Sequence, residues 1–333
     1  MNLTFAGHRC SDHSPSSGYD QVCALFPQAA WLSGPELAAG ELTWVRQPAS
    51  GGLCNDSSQI FHVFYGDCSG SALPAILRAR FPQAAIVATV HQPVGRLLND
   101  AAAFAALREV DGIIAVSQKQ AKDLADCGVT VPVHVVPHGV WTDVFRPPAP
   151  LAPDGTVRRD GVLLVGSYLR DWPGARQIVR LLAAAGVRSL VLGSAAAKWL
   201  QVSDPLVKLV QRVPETELAG LYARSAALLL PVLDATASNA LLEAMAAGCP
   251  VVCPWLPSLV EEYIGDDVDA YPAGAYETAA VRALTYAHDP DRRAARSQAL
   301  IQRAGRFDWA RLRPRLIEAY RSHQKQGSRS TGA

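Results

Sequence analysis

Ser238–Val252 reads SNALLEAMAAGCPVV. A serine suited to cap a helix is followed by an apolar run, a closing glycine at Gly248 and the β-branched pair Val251-Val252. The stretch is therefore a helix feeding a strand, the αβ half of a βαβ unit. Its only charge is Glu243, in the second turn. Two readings are open on these residues alone. Ser238 is a plain cap and Glu243 a solvated helix residue, or the unpaired N–H groups of the first turn hold an anion. In the second reading Glu243, deeper in the helix, accepts from a vicinal diol such as a ribose.

The same alternation runs outward in both directions. Upstream strand candidates are Leu3–Gly7, Ile60–Asp67, Ala85–Gln92, Gly112–Ser117 and Val133–Gly139, separated by helical runs such as SALPAILRARF and NDAAAFAALREV. Phe145–Gly161, with four prolines and two glycines, reads as a linker. Beyond it the pattern restarts with strand candidates Gly161–Ser167, Ser189–Ser194, Val207–Val213, Ala227–Val232 and Pro250–Trp255. Strands this apolar suit parallel sheets covered on both faces. The expectation is an α/β chain of two doubly wound, Rossmann-like domains facing a cleft, with ligands at the carboxyl ends of the strands. The domains are expected at 1–150 and 151–308. A helix at 309–325 is expected to pack back on the first domain, because Trp309, Leu312, Leu316 and Tyr320 form one apolar face. A disordered tail is expected at 326–333.

Bulk properties narrow the function. The 333 residues suit two domains, and 49% hydrophobic residues allow large cores. Thirty-one basic against 30 acidic residues give a net charge of +1, without the basic excess of a nucleic-acid binder. The start, MNLTFAGHRC, lacks the pattern of a secretory signal, and the longest apolar run, Ser225–Val232, is strand-sized. A cytoplasmic location is expected, with peripheral membrane contact left open. Seven cysteines without a CxxC pair argue against a full disulfide framework and a zinc ribbon.

Read together, SNALLEAMAAGCPVV, VSQKQAKDLADCG (Val116–Gly128), VVPHGVWTDVFRP (Val135–Pro147), GVLLVGSYLRDWPGARQIVRLL (Gly161–Leu182), ETELAGLYARSAALLLPV (Glu215–Val232) and FDWARL (Phe307–Leu312) resemble, in order and spacing, the retaining GT-B glycosyltransferases of glycosyltransferase family 4 (glycosyl transferases group 1). The resemblance covers roughly residues 85 to 322. It implies a hexosyltransferase that moves a sugar from a UDP- or GDP-linked donor to an acceptor hydroxyl with retention, through same-face attack in which the leaving phosphate takes the acceptor's proton. It implies Glu243 as the second glutamate of the family's Glu-x7-Glu motif, holding the donor ribose. The first glutamate falls at Ala235, a departure, with Asp234 as the neighbouring carboxylate. The family's Arg and Lys on the diphosphate fall at Ser167 and near Pro173, a second departure for which Arg170 is the substitute. His91 matches a strand-end histidine facing the donor sugar. Ser17 and Gly18 match a Gly-rich turn after the first strand.

The implied catalytic residues are thus His91, Arg170 and Asp234. The implied donor-binding residues are Ser17, Gly18, Gly166, Ser167, Arg170, Lys198, Val213, Ser238, Asn239, Ala240 and Glu243. No cofactor is expected beyond the nucleotide-sugar donor. The acceptor is expected to be a small molecule or glycan, with no nucleic-acid partner. The DxD Asp267-Val-Asp269 stands in a late loop and is not read as a metal site, so metal independence is expected. The departures leave two alternatives open: a catalytically silent nucleotide-sugar-binding subunit, and a nucleotide-sugar epimerase on the same fold.

Overall fold

A computed structural model describes residues 2–9, 13–49, 52–146, 161–193, 196–201, 203–265 and 270–323. Most of the expected linker, the tail and the Asp267/Asp269 pair lie outside the described residues. The chain forms two compact units. The first gathers the described residues of 1–13, 18–138 and 309–323; the second gathers 14–17 and 139–308.

The first unit is built on a seven-stranded sheet. Its strands are β1 (Asn2–Gly7), β2 (Ala30–Ser33), β3 (Trp44–Arg46), β4 (Gln59–Val63), β5 (Ala85–Val90), β6 (Gly112–Ala115) and β7 (Val133–Val135). Their order is β3-β2-β1-β4-β5-β6-β7, all parallel except the antiparallel edge strand β3. All six residues of β5 are buried, as a strand covered on both faces requires. Ala6, Phe61, Val63, Ile86, Ala88 and Ile113 form one face with Leu77, Leu97 and Leu124. The helix Trp309–Ser322 joins this unit: Trp309 stands edge-on to Tyr19, Tyr320 to Phe26, and Arg313 donates to the Leu25 carbonyl.

The second unit carries β8 (Val162–Val165), β9 (Ser189–Leu192), β10 (Val207–Val210), β11 (Ala227–Leu229) and β12 (Val251–Val252). They form a parallel sheet in the order β10-β9-β8-β11-β12. Alternation along each strand feeds two cores. Leu163, Leu228 and Val251 meet the helix Asn239–Ala246 through Leu241, Leu242 and Met245. Val162, Leu164, Leu229 and Val252 meet Ile178, Val179 and Leu182 on the opposite face. Each fully buried aliphatic side chain of this kind is worth roughly 1.5–3 kcal/mol.

In this sheet β8 lies between β9 and β11, so the chain moves to one side of β8 through β9 and β10 and crosses to the other side after β10. The carboxyl ends of β8 and β11 thus flank the point where strand order reverses, the usual ligand crevice of an open parallel sheet. Among the described residues no helix is long and apolar enough to cross a membrane.

Candidate functional site

At the end of β8 the chain turns at Gly166, whose φ of 86° lies in the left-handed region. A Cβ there would stand 2.8 Å from Arg170 Nη2, so glycine is needed for space as well as for φ. Arg170 folds back over this turn. Its Nη2 donates to the Val165 carbonyl at 2.6 Å, Nε to the same oxygen at 3.2 Å, and Nη1 to the Tyr168 carbonyl at 3.1 Å. The segment is stitched to the end of β11: the Leu233 N–H donates to Leu169 and the Asp171 N–H to Pro231, with Arg170 bridged to Val232. Burial pushes the guanidinium down to about 10, with Tyr222 opposing the shift, so it is still charged at neutral pH. A half-buried cation at the switch point is suited to anionic oxygen.

Asp171 is engaged otherwise. Its carboxylate accepts from the Gly174 N–H at 3.0 Å, capping the helix Trp172–Ala184, and from Tyr276 Oη at 2.7 Å.

After β11 the chain reaches Asp234, exposed, whose Oδ1 accepts from the adjacent Ala235 N–H at 2.8 Å. Ser238 then caps the helix Asn239–Ala246, its Oγ accepting from the Leu241 N–H at 3.3 Å. Asn239 is half-buried at the helix start and Ala240 is buried behind it. Glu243 is only 4% exposed, which removes the reading of it as a solvated helix residue. A carboxylate this deep must be hydrogen-bonded. Oε2 accepts from Tyr222 Oη at 2.9 Å, and Oε1 accepts from the Ser17 hydroxyl. Ser17 is held by its tetrapeptide: its N–H donates to Ser14, and Ser16 Oγ donates to Glu215 Oε1 at 2.9 Å. The second unit thus gathers Gly166, Arg170, Ser238, Asn239, Glu243 and Ser17, with Tyr222 a buried phenol on Glu243.

The remaining expected residues of this unit make other contacts. Ser167 is half-buried and packs its Oγ beside Gly193, where a Cβ would stand 2.8 Å away. Lys198 is exposed on the short helix Ala196–Leu200, its Nζ 5.0 Å from the centroid of the Trp199 ring. Val213 packs partly buried against the core beneath the Asn239–Ala246 helix.

His91 and Gly18 belong to the first unit. His91 follows β5, and its ring contacts Tyr19 and Tyr65 at centroid distances of 4.6 and 4.5 Å. Burial, reinforced by His138, His62 and His13, holds it well below the usual histidine range, so it is neutral at pH 7. Gly18, at φ 98°, leaves room where a Cβ would meet His13 Nδ1 at 2.4 Å.

Two polar residues escaped the reading of the sequence. Asp67, fully buried, accepts at one oxygen from the His91 N–H at 2.7 Å and from the Gln92 N–H at 2.5 Å, fixing the turn that presents His91. Its signal was a carboxylate closing an apolar strand run, IFHVFYGD. Tyr222 is the other, and its signal was a phenol on the buried face of an otherwise ordinary helix. Among the described residues no three His, Cys, Asp or Glu side chains gather as a metal-ligand group.

The fold has close counterparts among solved structures. Sucrose-phosphate synthase from Thermosynechococcus elongatus superposes with a TM-score of 0.71 at 17% identity, over 97% of this chain and 99% of that one. The α,α-trehalose 6-phosphate synthase from Burkholderia multivorans superposes with a TM-score of 0.70 at 13% identity, over 98% and 99%. At these identities the likeness is one of fold. Family comparison adds the sequence: Glycosyltransferase Family 4 matches residues 58–144, and Glycosyl transferases group 1 matches residues 163–289. The chain has the GT-B fold and carries matches to two glycosyltransferase family models. A curated relative is the D-inositol 3-phosphate glycosyltransferase of Segniliparus rotundus, 27% identical over 265 residues, covering 72% of this chain and 58% of that protein. The GT-B chain described here thus spans under two thirds of that relative's length. The first match lies mostly in the first unit and the second wholly in the second unit, where it contains Gly166, Arg170, Tyr222 and Glu243.

Proposed function

We propose that this GT-B protein transfers a hexosyl group from a nucleoside diphosphate sugar to an acceptor hydroxyl with retention of anomeric configuration. One observation carries the reading above the others: a buried carboxylate, Glu243, and a half-buried cation, Arg170, both neighbour Tyr222 behind the switch point of the second unit's sheet. The carboxylate suits a ribose diol. The guanidinium and the N–H groups at Asn239 suit a diphosphate, whose departure dominates the barrier and is eased by preorganised charge. The first unit supports the same reading with neutral His91 at a strand end, held there by Asp67.

Two features differ from the family's pattern. Ala235 stands where its first glutamate falls, and Asp234, exposed and beside it, is the carboxylate proposed to reach the donor sugar. Arg170 alone stands where two cations are usual. In the proposed reaction the acceptor oxygen attacks the anomeric carbon from the face that the diphosphate leaves, and the leaving phosphate takes the acceptor's proton.

The test is a thermal-shift screen against UDP, GDP and their sugars, followed by transfer assays with anomer assignment by NMR. A shift with one nucleotide and a product of unchanged anomeric configuration is expected. Absence of any shift refutes the nucleotide reading. Binding without turnover or hydrolysis of any donor supports instead a silent subunit, for which Ala235 is the favouring observation. An epimer in place of a transfer product supports the epimerase.

A further inference from the structure

We infer that Tyr222 is a positioning residue for Glu243, fixing one carboxylate oxygen so that the other exchanges between the Ser17 hydroxyl and the hydroxyls of a bound nucleoside. The inference rests on the proposed role of Glu243 and extends it to Tyr222, which the sequence left without a role, and to the side chain of Ser17, until now only part of an expected donor-binding turn. Tyr222 is wholly buried in the helix Glu215–Arg224, its ring edge-on to Phe145 at 6.4 Å. Packed in this way, its phenol has little freedom, and its Oη donates to Glu243 Oε2 at 2.9 Å. Burial and the carboxylate both push the phenol well above its ordinary range, so it remains a donor at all working pH. A carboxylate bonded rigidly at one oxygen presents its second oxygen in a fixed direction.

That second oxygen, Oε1, meets a hydroxyl from the chain itself. Ser17 is only 7% exposed, and Ser16 ties the same tetrapeptide to Glu215 through its N–H and its Oγ. An aliphatic hydroxyl on a carboxylate oxygen has the chemistry of one ribose hydroxyl on the same atom. Ser17 therefore satisfies Glu243 while no nucleoside is bound, sparing the cost of an unpaired buried charge. A ribonucleotide must displace it, whereas a nucleoside lacking both ring hydroxyls has nothing to offer in exchange.

The experiment is calorimetric titration of the full chain with UDP and GDP and with their 2′,3′-dideoxy counterparts. It compares wild type, Tyr222→Phe, Ser17→Ala and Glu243→Gln. Tyr222→Phe is expected to weaken ribonucleotide binding about 10-fold and to leave the dideoxy affinity unchanged, collapsing the preference for ribose. Ser17→Ala is expected to tighten ribonucleotide binding roughly 3-fold by removing the competing hydroxyl, again without effect on the dideoxy compound. The Ser17 arm stands by itself if Tyr222→Phe loses the native fold. Equal loss for both nucleotides, or no change, overturns the positioning role of Tyr222. Unchanged or weaker ribonucleotide binding in Ser17→Ala overturns the exchange. Failure of the underlying reading looks different: wild type would not distinguish ribose from dideoxyribose, and Glu243→Gln would bind like wild type.

Discussion

Replacing Gly166 by alanine tests the geometry at the end of β8 without reference to any ligand. At a φ of 86°, an L-residue costs about 1–2 kcal/mol over glycine. The added methyl would lie 2.8 Å from Arg170 Nη2, closer than such atoms approach. The guanidinium is the end of a long side chain, but three hydrogen bonds to the Val165 and Tyr168 carbonyls hold it. Moving it aside loses at least the 2.6 Å bond to Val165, a charge-assisted one worth about 1.5 kcal/mol. The sum is about 3 kcal/mol, a fall of about 6–12 °C in the melting transition of a unit this size. The assay is thermal and urea unfolding of Gly166→Ala, Arg170→Ala and the double variant. With Arg170 removed, only the φ cost remains, so the double variant should fall short of additivity by about 1.5 kcal/mol. A Gly166→Ala cost below about 0.5 kcal/mol refutes the strained turn. Strict additivity refutes the contact between the methyl and the guanidinium.

Other outcomes follow from the first unit and from the helix cap of the second. Burial drives His62 down to about 3, with its ring nitrogens 2.7 Å from Tyr320 Oη and 2.6 Å from Thr89 Oγ1. The unfolded chain then binds the extra proton, so the stability contributed is fully present above about pH 6.5 and is lost as pH falls from there towards 3. Between pH 7 and 5 the loss is on the order of 2 kcal/mol, read from urea midpoints, and His62→Gln should flatten the slope. Asp67→Ala strands the His91 and Gln92 N–H groups and should cost about 2–4 kcal/mol in thermal unfolding, with Asn restoring most of it. Asp171→Ala removes a helix cap and the Tyr276 partner together and should lower stability by about 1–3 kcal/mol in the same assay.

The repeated βα pattern was legible because parallel strands buried on both faces are written as β-branched runs. Ten strands of the structure fall within or one residue beyond runs picked out in this way. The strand β2 and the edge strand β3 were not: AWLS and WVR are four and three residues long, and β3 pairs antiparallel with a register shift beside Trp31. Their pairing is a tertiary event that three residues cannot announce. In the site, the cap at Ser238 was visible locally, because capping acts over three residues. The burial of Glu243 was not, since its partners stand 21 and 226 residues away. Arg170 was placed by spacing alone. That its guanidinium folds inward depended on the φ of Gly166, which a one-letter code does not carry.

The helix Trp309–Ser322 has a consequence for the order in which the protein is made. Residues 2–138 leave the ribosome first, yet Tyr19, Phe26 and His62 receive Trp309 and Tyr320 only after the whole of 139–308 has been synthesised. The nascent first unit therefore waits with an open aromatic seam while the second is translated. A stop codon just after Asp308 would remove that seam's cover and leave most of the downstream unit's own contacts in place.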